Sequence, residues 1–286
     1  MTFAKSKKYL KKIVESSVYD VADITPLSPA GHLSKETKNN IFLKREDLQP
    51  IFSFKLRGAY NKISHLKKLG KVERVITASA GNHAQGVAYS AKKLRLKASI
   101  VMPVTTPSIK VSAVKNLGAQ VILVGDTYDE AYEHAIKLSK KPNYAFVHPY
   151  DDPDVIAGQG TIGKEILDQA GKDLDAVFVP VGGGGLLAGI GAYIKNLRPD
   201  VKIIGVEPEE AAGLYEAIKA NRRVTLKQVG LFVDGVAVKQ VGKVTFPIIN
   251  EWVDEVVTVS VDEICAAIED IFQETRTISE PAGALS

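Results

Sequence analysis

The sequence predicts an open α/β fold, with mainly parallel strands covered on both faces by helices. Three observations carry this. Short β-branched runs alternate with helical patterns along most of the chain, and the strand runs are apolar nearly throughout. Runs of that kind suit parallel sheets buried on both faces. The third is VGGGGLLAG, where four glycines stand between a strand run and a helical one. In such sheets, ligands bind in loops at the strand C-termini.

Taken in order, the chain opens with an amphipathic segment whose Lys5, Lys7, Lys8, Lys11 and Lys12 hold most of the excess positive charge. They read as one solvated helix face. QPIFSFKLRGAYNKI follows, and then the strand–helix pairs: RVITAS with NHAQGVAYSAKKL, ASIVMP with TPSIKVSAVKNLG, and AQVILVG with TYDEAYEHAIKLSKK. After HPYDDPDV interrupts the pattern, DAVFVPVG pairs with GLLAGIGAYIKNL, and KIIGVE with PEEAAGLYEAIKANR. The expected division is a large subdomain of residues 1–60 plus 158–286 and a small one of residues 61–157.

Composition narrows the class. With 286 residues, 45% hydrophobic and 24% charged, the chain can build a sizeable core. A net charge of +4 concentrated at one end gives no nucleic-acid groove. The single cysteine, Cys265, cannot form an internal disulfide and reads as a small core residue in a reducing compartment. No apolar signal-peptide region precedes the first strand, so the expected location is cytoplasmic. The uncharged run Ala176 to Ile194 is long enough to raise the membrane question, but Pro180 and the glycines split it.

Three stretches carry candidate chemistry. Lys55 stands between Phe54 and Leu56, where it either snorkels or sits partly dry with an amine that loses its proton more readily. TASAGNHAQG opens a helix with small residues, so free backbone N–H groups can hold a carboxylate or phosphate; the plainer reading is an N-cap by Ser79 or Asn82. The four-glycine loop suits a phosphate. Gly183, Gly185 and Ala188 also match a dinucleotide-binding spacing with Glu207 as the ribose acid, so a nicotinamide-binding oxidoreductase stays open. A lysine, a phosphate loop and a carboxylate loop together describe pyridoxal phosphate acting on an amino acid.

SFKLRGAYNKI, SAGNHAQGVA, GGGGLLAGI, VEPE and EPAGA occur in the order in which they occur in the fold-type II pyridoxal-phosphate enzymes. The chain resembles that family over nearly its whole length, and within it the biosynthetic threonine dehydratases (threonine deaminases). The resemblance implies a tryptophan-synthase-β-like fold and pyridoxal 5'-phosphate held by Lys55 as a Schiff base. Phe54 would pack near the cofactor ring, Asn82 would bond its hydroxyl, and Gly182, Gly183, Gly184, Gly185 and Leu186 would hold its phosphate. Gly235 and Glu280 would lie near the ring, and Ser79, Ala80, Gly81 and His83 would line the substrate-carboxylate loop.

The implied reaction is deamination of L-threonine to 2-oxobutanoate and ammonia, for isoleucine biosynthesis, with Lys55 as the Cα base. Serine dehydration or another β-elimination or replacement on the same scaffold is the alternative, and a non-catalytic binding domain is a further one. Partners would be a small amino acid and further copies of the chain, as dimer or tetramer, with no membrane. Two departures bear on this. Ala80 stands where related serine racemases carry a serine, which favours elimination. Gly213 stands where they carry the second acid of a cation site, so no metal is expected. The chain ends at Ser286, where the family continues. The expectation is therefore a catalytic domain truncated at its C-terminus, or a defective relative. Either would lack the partner of the pyridine nitrogen and the regulatory domain, and would expose apolar surface where the missing elements pack.

Overall fold

The computed structural model describes residues 3–70 and 72–286. In chain order, α1 (Phe3–Val14), β1 (Leu27–Pro29), α2 (Gly31–Thr37) and β2 (Phe42–Lys44) come first. Next are α3 (Lys55–Lys68), β3 (Arg74–Ala78), α4 (Asn82–Lys93), β4 (Lys97–Met102), α5 (Ser108–Asn116), β5 (Gln120–Leu123), α6 (Tyr128–Ser139), β6 (Tyr144–Phe146) and α7 (Pro153–Ala170). The rest comprises β7 (Ala176–Pro180), α8 (Gly185–Leu197), β8 (Lys202–Pro208), α9 (Gly213–Lys219), α10 (Thr245–Trp252), β9 (Glu255–Val259) and α11 (Val261–Thr275).

The chain divides into two compact units. One holds residues up to Val14, Thr25–Arg45 and Gly160–Ser286; the other holds Glu15–Ile24 and Glu46–Gln159. These limits differ from the 60/61 and 157/158 divisions expected above. The residues of α3 pack chiefly on α4, which moves the first division back to Arg45, and the second falls inside the continuous helix α7.

In the unit of Glu46–Gln159, the parallel strands run in the order β5-β4-β3-β6. Their side chains part by parity. Val75, Ile100 and Met102 join Ala59, Ile63, Val87 and Val114 in one core, while Ile76, Ala78 and Val101 meet Ala131 and Ala135 of α6 in another. Helices therefore cover both faces, which is why β3 and β4 read as runs that are apolar at both parities. Each such Val or Ile stabilises the fold by roughly 1.5–3 kcal/mol relative to exposure. Thr127 and Glu130 form a reciprocal capping box that starts α6.

The other unit pairs β7, β8 and β9 in parallel, in that order. Val206, Val236, Ile264 and Leu285 are among the residues of its core, and Ser260 with Glu263 caps α11. A two-stranded antiparallel sheet, β1 with β2, adds an element the strand–helix pattern did not include.

Two expectations are corrected. Cys265 is exposed, because α11 turns Ile264, Ala267, Ile268 and Ile271 inward and leaves the cysteine on the other side. The helix expected over PEEAAGLYEAIKANR is interrupted: a 3-10 turn at Glu209–Ala211 precedes α9, which spans only Gly213–Lys219. Lys8 and Lys11 are exposed and Lys12 is half-buried, whereas the side chains of Lys5 and Lys7 lie outside the described residues. Among the described residues, no helix is long and apolar enough to cross a membrane.

Candidate active site

Lys55 is the first residue of α3, half-buried, with its Nζ 5.2 Å from the centroid of the Phe54 ring. Such an ammonium–ring contact is attractive and strengthens as water is excluded. The backbone under it is tightly held. A Cβ built on Gly86 of α4 would lie 3.0 Å from the Lys55 carbonyl oxygen, so a side chain there would push the two helices apart by a few tenths of an ångström. One turn on, a Cβ on Gly58 would lie 2.8 Å from the Val155 carbonyl oxygen, and one on Gly158 would lie 2.6 Å from the Arg57 carbonyl oxygen. There α3 and α7 touch backbone to backbone, and Gly58 N–H donates to Gln159 Oε1 at 3.2 Å.

In the same unit, β3 delivers Ser79, Ala80 and Gly81 to the start of α4, all half-buried. The helix is capped by Gly81, which offers no side-chain cap, and not by Ser79 or Asn82; Ser79 Oγ accepts from Gly81 N–H at 3.2 Å. The first N–H groups of a helix have no intrahelical partners, so this end attracts an anion. Asn82 opens the helix. His83 points inward at 3% exposure, and its Nε2 lies 3.0 Å from the Val147 carbonyl oxygen. A carbonyl only accepts, so Nε2 is assigned the hydrogen, and Nδ1 is a buried lone pair without a hydrogen-bond partner. Burial, with the Lys55 charge adding to it, holds the His83 pKa down at about 3. The His83 ring is therefore buried and neutral beside the loop.

His148, absent from that expectation, lies within electrostatic reach of both Lys55 and His83. Its Nδ1 accepts from the N–H groups of Tyr150 and Asp151 at 3.2 and 2.8 Å, and burial lowers its pKa to about 4. Both rings are neutral near pH 7.

In the other unit, Gly182, Gly183 and Gly184 turn from β7 into α8, and Gly185 and Leu186 form its first turn. Gly184 has φ +89° and caps α8, a conformation that costs an L side chain energy, and a Cβ there would lie 2.6 Å from Ile249 Cδ1. The Gly183 carbonyl accepts from Thr245 Oγ1 at 2.8 Å and from Gly242 N–H at 3.2 Å. A Cβ on Gly182 would lie 3.0 Å from Val236 Cα, and one on Gly235 would lie 3.5 Å from Glu280 Oε1. The fold thus brings the glycine turn beside Val236, and neighbouring Gly235 beside Glu280. Glu207 is 1% exposed, and its two oxygens accept from Leu214 and Tyr215 N–H at 2.9 and 2.8 Å. Burial raises its pKa to about 7 against the pull of those bonds. It anchors the start of α9, which removes the ribose acid from the nicotinamide reading.

The sequence expectation also lacked Arg57 and Glu46, which form a forked ion pair two residues after Lys55, and Thr245. An arginine inside the apolar start of a helix was the available signal for the pair. Nothing local marks Thr245.

A family model described as pyridoxal-phosphate dependent enzyme matches residues 19–286. The chain is 54% identical over 284 residues to L-threonine dehydratase biosynthetic IlvA of Burkholderia multivorans, covering 98% of this chain and 56% of that one. Across such matches the chain spans about half the length of the curated relatives. Among solved structures, the processed form of threonine deaminase isoform 2 from Solanum lycopersicum superposes at a TM-score of 0.97 with 50% identity, covering all of this chain and 78% of that one. Serine racemase from Dictyostelium discoideum gives 0.87 with 33% identity over all of this chain and 90% of its own. The donor set suits the cofactor in that family description. A left-handed glycine turn leaves N–H groups bare for a phosphate, and a lysine amine at a fixed helix start can take up an aldehyde. With a match over most of its length and a cofactor its residues fit, the chain belongs to the pyridoxal-phosphate dependent enzyme family.

Proposed function

We propose that this chain catalyses the deamination of L-threonine to 2-oxobutanoate and ammonia, as a pyridoxal-phosphate dependent threonine ammonia-lyase in isoleucine biosynthesis. The observation that carries the reading is the Lys55 amine, held over Phe54 at a helix start whose backbone is gripped by Gly86 and Gly158. The names of the threonine dehydratase and threonine deaminase relatives support the substrate.

Lys55 would hold the cofactor's carbonyl and Phe54 would flank its ring, with Asn82 bonding the ring hydroxyl. N–H groups of Gly182, Gly183, Gly184, Gly185 and Leu186 would hold the phosphate, and Gly235 and Glu280 would lie toward the ring. When bound, pyridoxal phosphate supplies an electron sink that makes the Cα–H bond of an amino acid breakable. The chain's own part is to bind and orient. The start of α4, with Ser79, Ala80, Gly81 and the His83 backbone, would take the substrate carboxylate, and the Lys55 amine would move the proton at Cα. Water lost as the β-hydroxyl leaves returns when the nitrogen is released as ammonia, so the atoms balance. Ala80 offers no hydroxyl as a second acid, which supports elimination over racemisation.

Serine dehydration is the second reading, favoured by the likeness to serine racemase. Assaying 2-oxo acid formed from threonine and from serine separates the two: a higher kcat/KM for threonine supports the proposal, and a higher value for serine replaces it. A homo-oligomer is the proposed assembly. The cytoplasm is the proposed setting, supported by the lone unpaired cysteine.

A further inference from the structure

Arg57 is fully buried, an unusual position for a guanidinium. Its Nε and Nη2 donate to Glu46 Oε2 and Oε1, each at 2.8 Å, and Nη2 also donates to the Asp23 carbonyl at 3.2 Å. Gln49 extends the network: its amide donates to the Asp23 carbonyl at 2.8 Å, and Asp23 N–H donates back to its Oε1 at 3.0 Å. The fork ties both ends of Glu46–Arg57, the segment that carries Lys55.

We propose that Arg57 is a positioning residue whose fork onto Glu46 fixes the rotation of the first turn of α3 and thereby aims the amine of Lys55. Residues two apart on a helix project about 200° apart, so Arg57 grips the side of α3 away from Lys55. Its bonds to Glu46 and to the Asp23 carbonyl hold the helix and not the amine itself. What it can set is the rotation of the helix about its axis, and a misplacement of about 1 Å at a reacting group can cost on the order of 10²-fold in rate. Buried ion pairs are weak devices for stability, since apolar pairs of similar size replace them at little cost. Two parallel N–H···O bonds supply direction instead, which an apolar pair or a lysine does not.

The inference rests on the reading of Lys55 as the residue that takes up pyridoxal phosphate. The test compares the full chain, Arg57→Lys, and the double variant Arg57→Met with Glu46→Met, which removes both charges together. Each is incubated with pyridoxal phosphate and reduced with borohydride at timed intervals. Peptide mass spectrometry locates and quantifies the label, while circular dichroism and a melting curve report the fold. The expected result is label on Lys55 in the parent chain and at least tenfold slower labelling in both folded variants, with melting temperatures within a few degrees of the parent. Labelling of Lys55 at the parent rate in either folded variant overturns the proposal. Label on another lysine in the parent chain instead overturns the Lys55 reading and the proposal with it. Failure of both variants to fold makes Arg57 a folding residue, and also overturns it.

Discussion

In the unit that carries Lys55, the proposed binding group is a side chain, and the helix that carries it is held by other side chains: Arg57 forked on Glu46, and Gln159 on the Gly58 N–H. In the unit that carries Gly182–Gly185, the proposed binding groups are backbone N–H groups, and their placement depends on absent side chains. Gly184 holds φ +89°, and the space its Cβ would need is filled by Ile249 and Thr245. A lysine must be aimed, so it needs directional bonds behind it, whereas a phosphate cradle must be bare, so it needs close packing behind an absent side chain. Damage should therefore differ in kind. In the first unit it should show in covalent capture, and in the second in phosphate affinity.

The largest effect is expected for Lys55→Ala. The visible absorbance acquired with pyridoxal phosphate should vanish, and 2-oxo acid production should fall at least about 10³-fold, the scale of losing a positioned base. The melting temperature should hold, because the side chain is only half-buried. Gly184→Ala comes next. A methyl at that φ and 2.6 Å from Ile249 Cδ1 should cost on the order of 1–3 kcal/mol and weaken cofactor binding at least about tenfold, read by melting and by titration with pyridoxal phosphate.

The fold class was legible for a definite reason: Val75 with Ile76, and Ile100 with Val101, are apolar at both parities, and only strands covered on both faces require that. β1 and β2, three residues each, are too short to show a period. For Cys265 the spacing DEICAAIEDIF disclosed a helix but not its rotational phase, which the core around Ile264 sets. At the candidate site, local chemistry marked Lys55 and the glycines, because a cation among apolar residues and four consecutive glycines are locally odd. The Glu46–Arg57 fork and the Thr245–Gly183 bond join residues 11 and 62 positions apart that belong to different elements, so no period within one helix or strand predicts them.

A smaller effect concerns pH. The folded chain holds His83 at about 3 against an ordinary value of 6.5, so the unfolded chain binds more protons between those values. Stability is full above about pH 6.5 and is lost as pH falls toward 3, by about 1.4 kcal/mol per pH unit from this one group. Urea unfolding at pH 7.5 and 5.5 should show the loss, and a folded His83→Gln chain should show less of it. Thr245→Val should cost about 1 kcal/mol in unfolding free energy, since the Gly183 carbonyl keeps the Gly242 N–H. It should weaken phosphate binding while leaving Lys55 labelling by a phosphate-free aldehyde unchanged. Slowed labelling in that variant would mean that the two units do not fail independently. Cys265→Ser, on the exposed side of α11, should change stability by less than about 0.5 kcal/mol.

The most direct measurement is the absorbance spectrum of the chain with added pyridoxal phosphate, taken before and after L-threonine, with 2-oxo acid assayed in the same cuvette. A visible band that is absent in Lys55→Ala, changes on adding threonine and accompanies 2-oxobutanoate formation is the predicted result. A band that persists without Lys55, or one that threonine leaves unchanged while no 2-oxo acid forms, would contradict it.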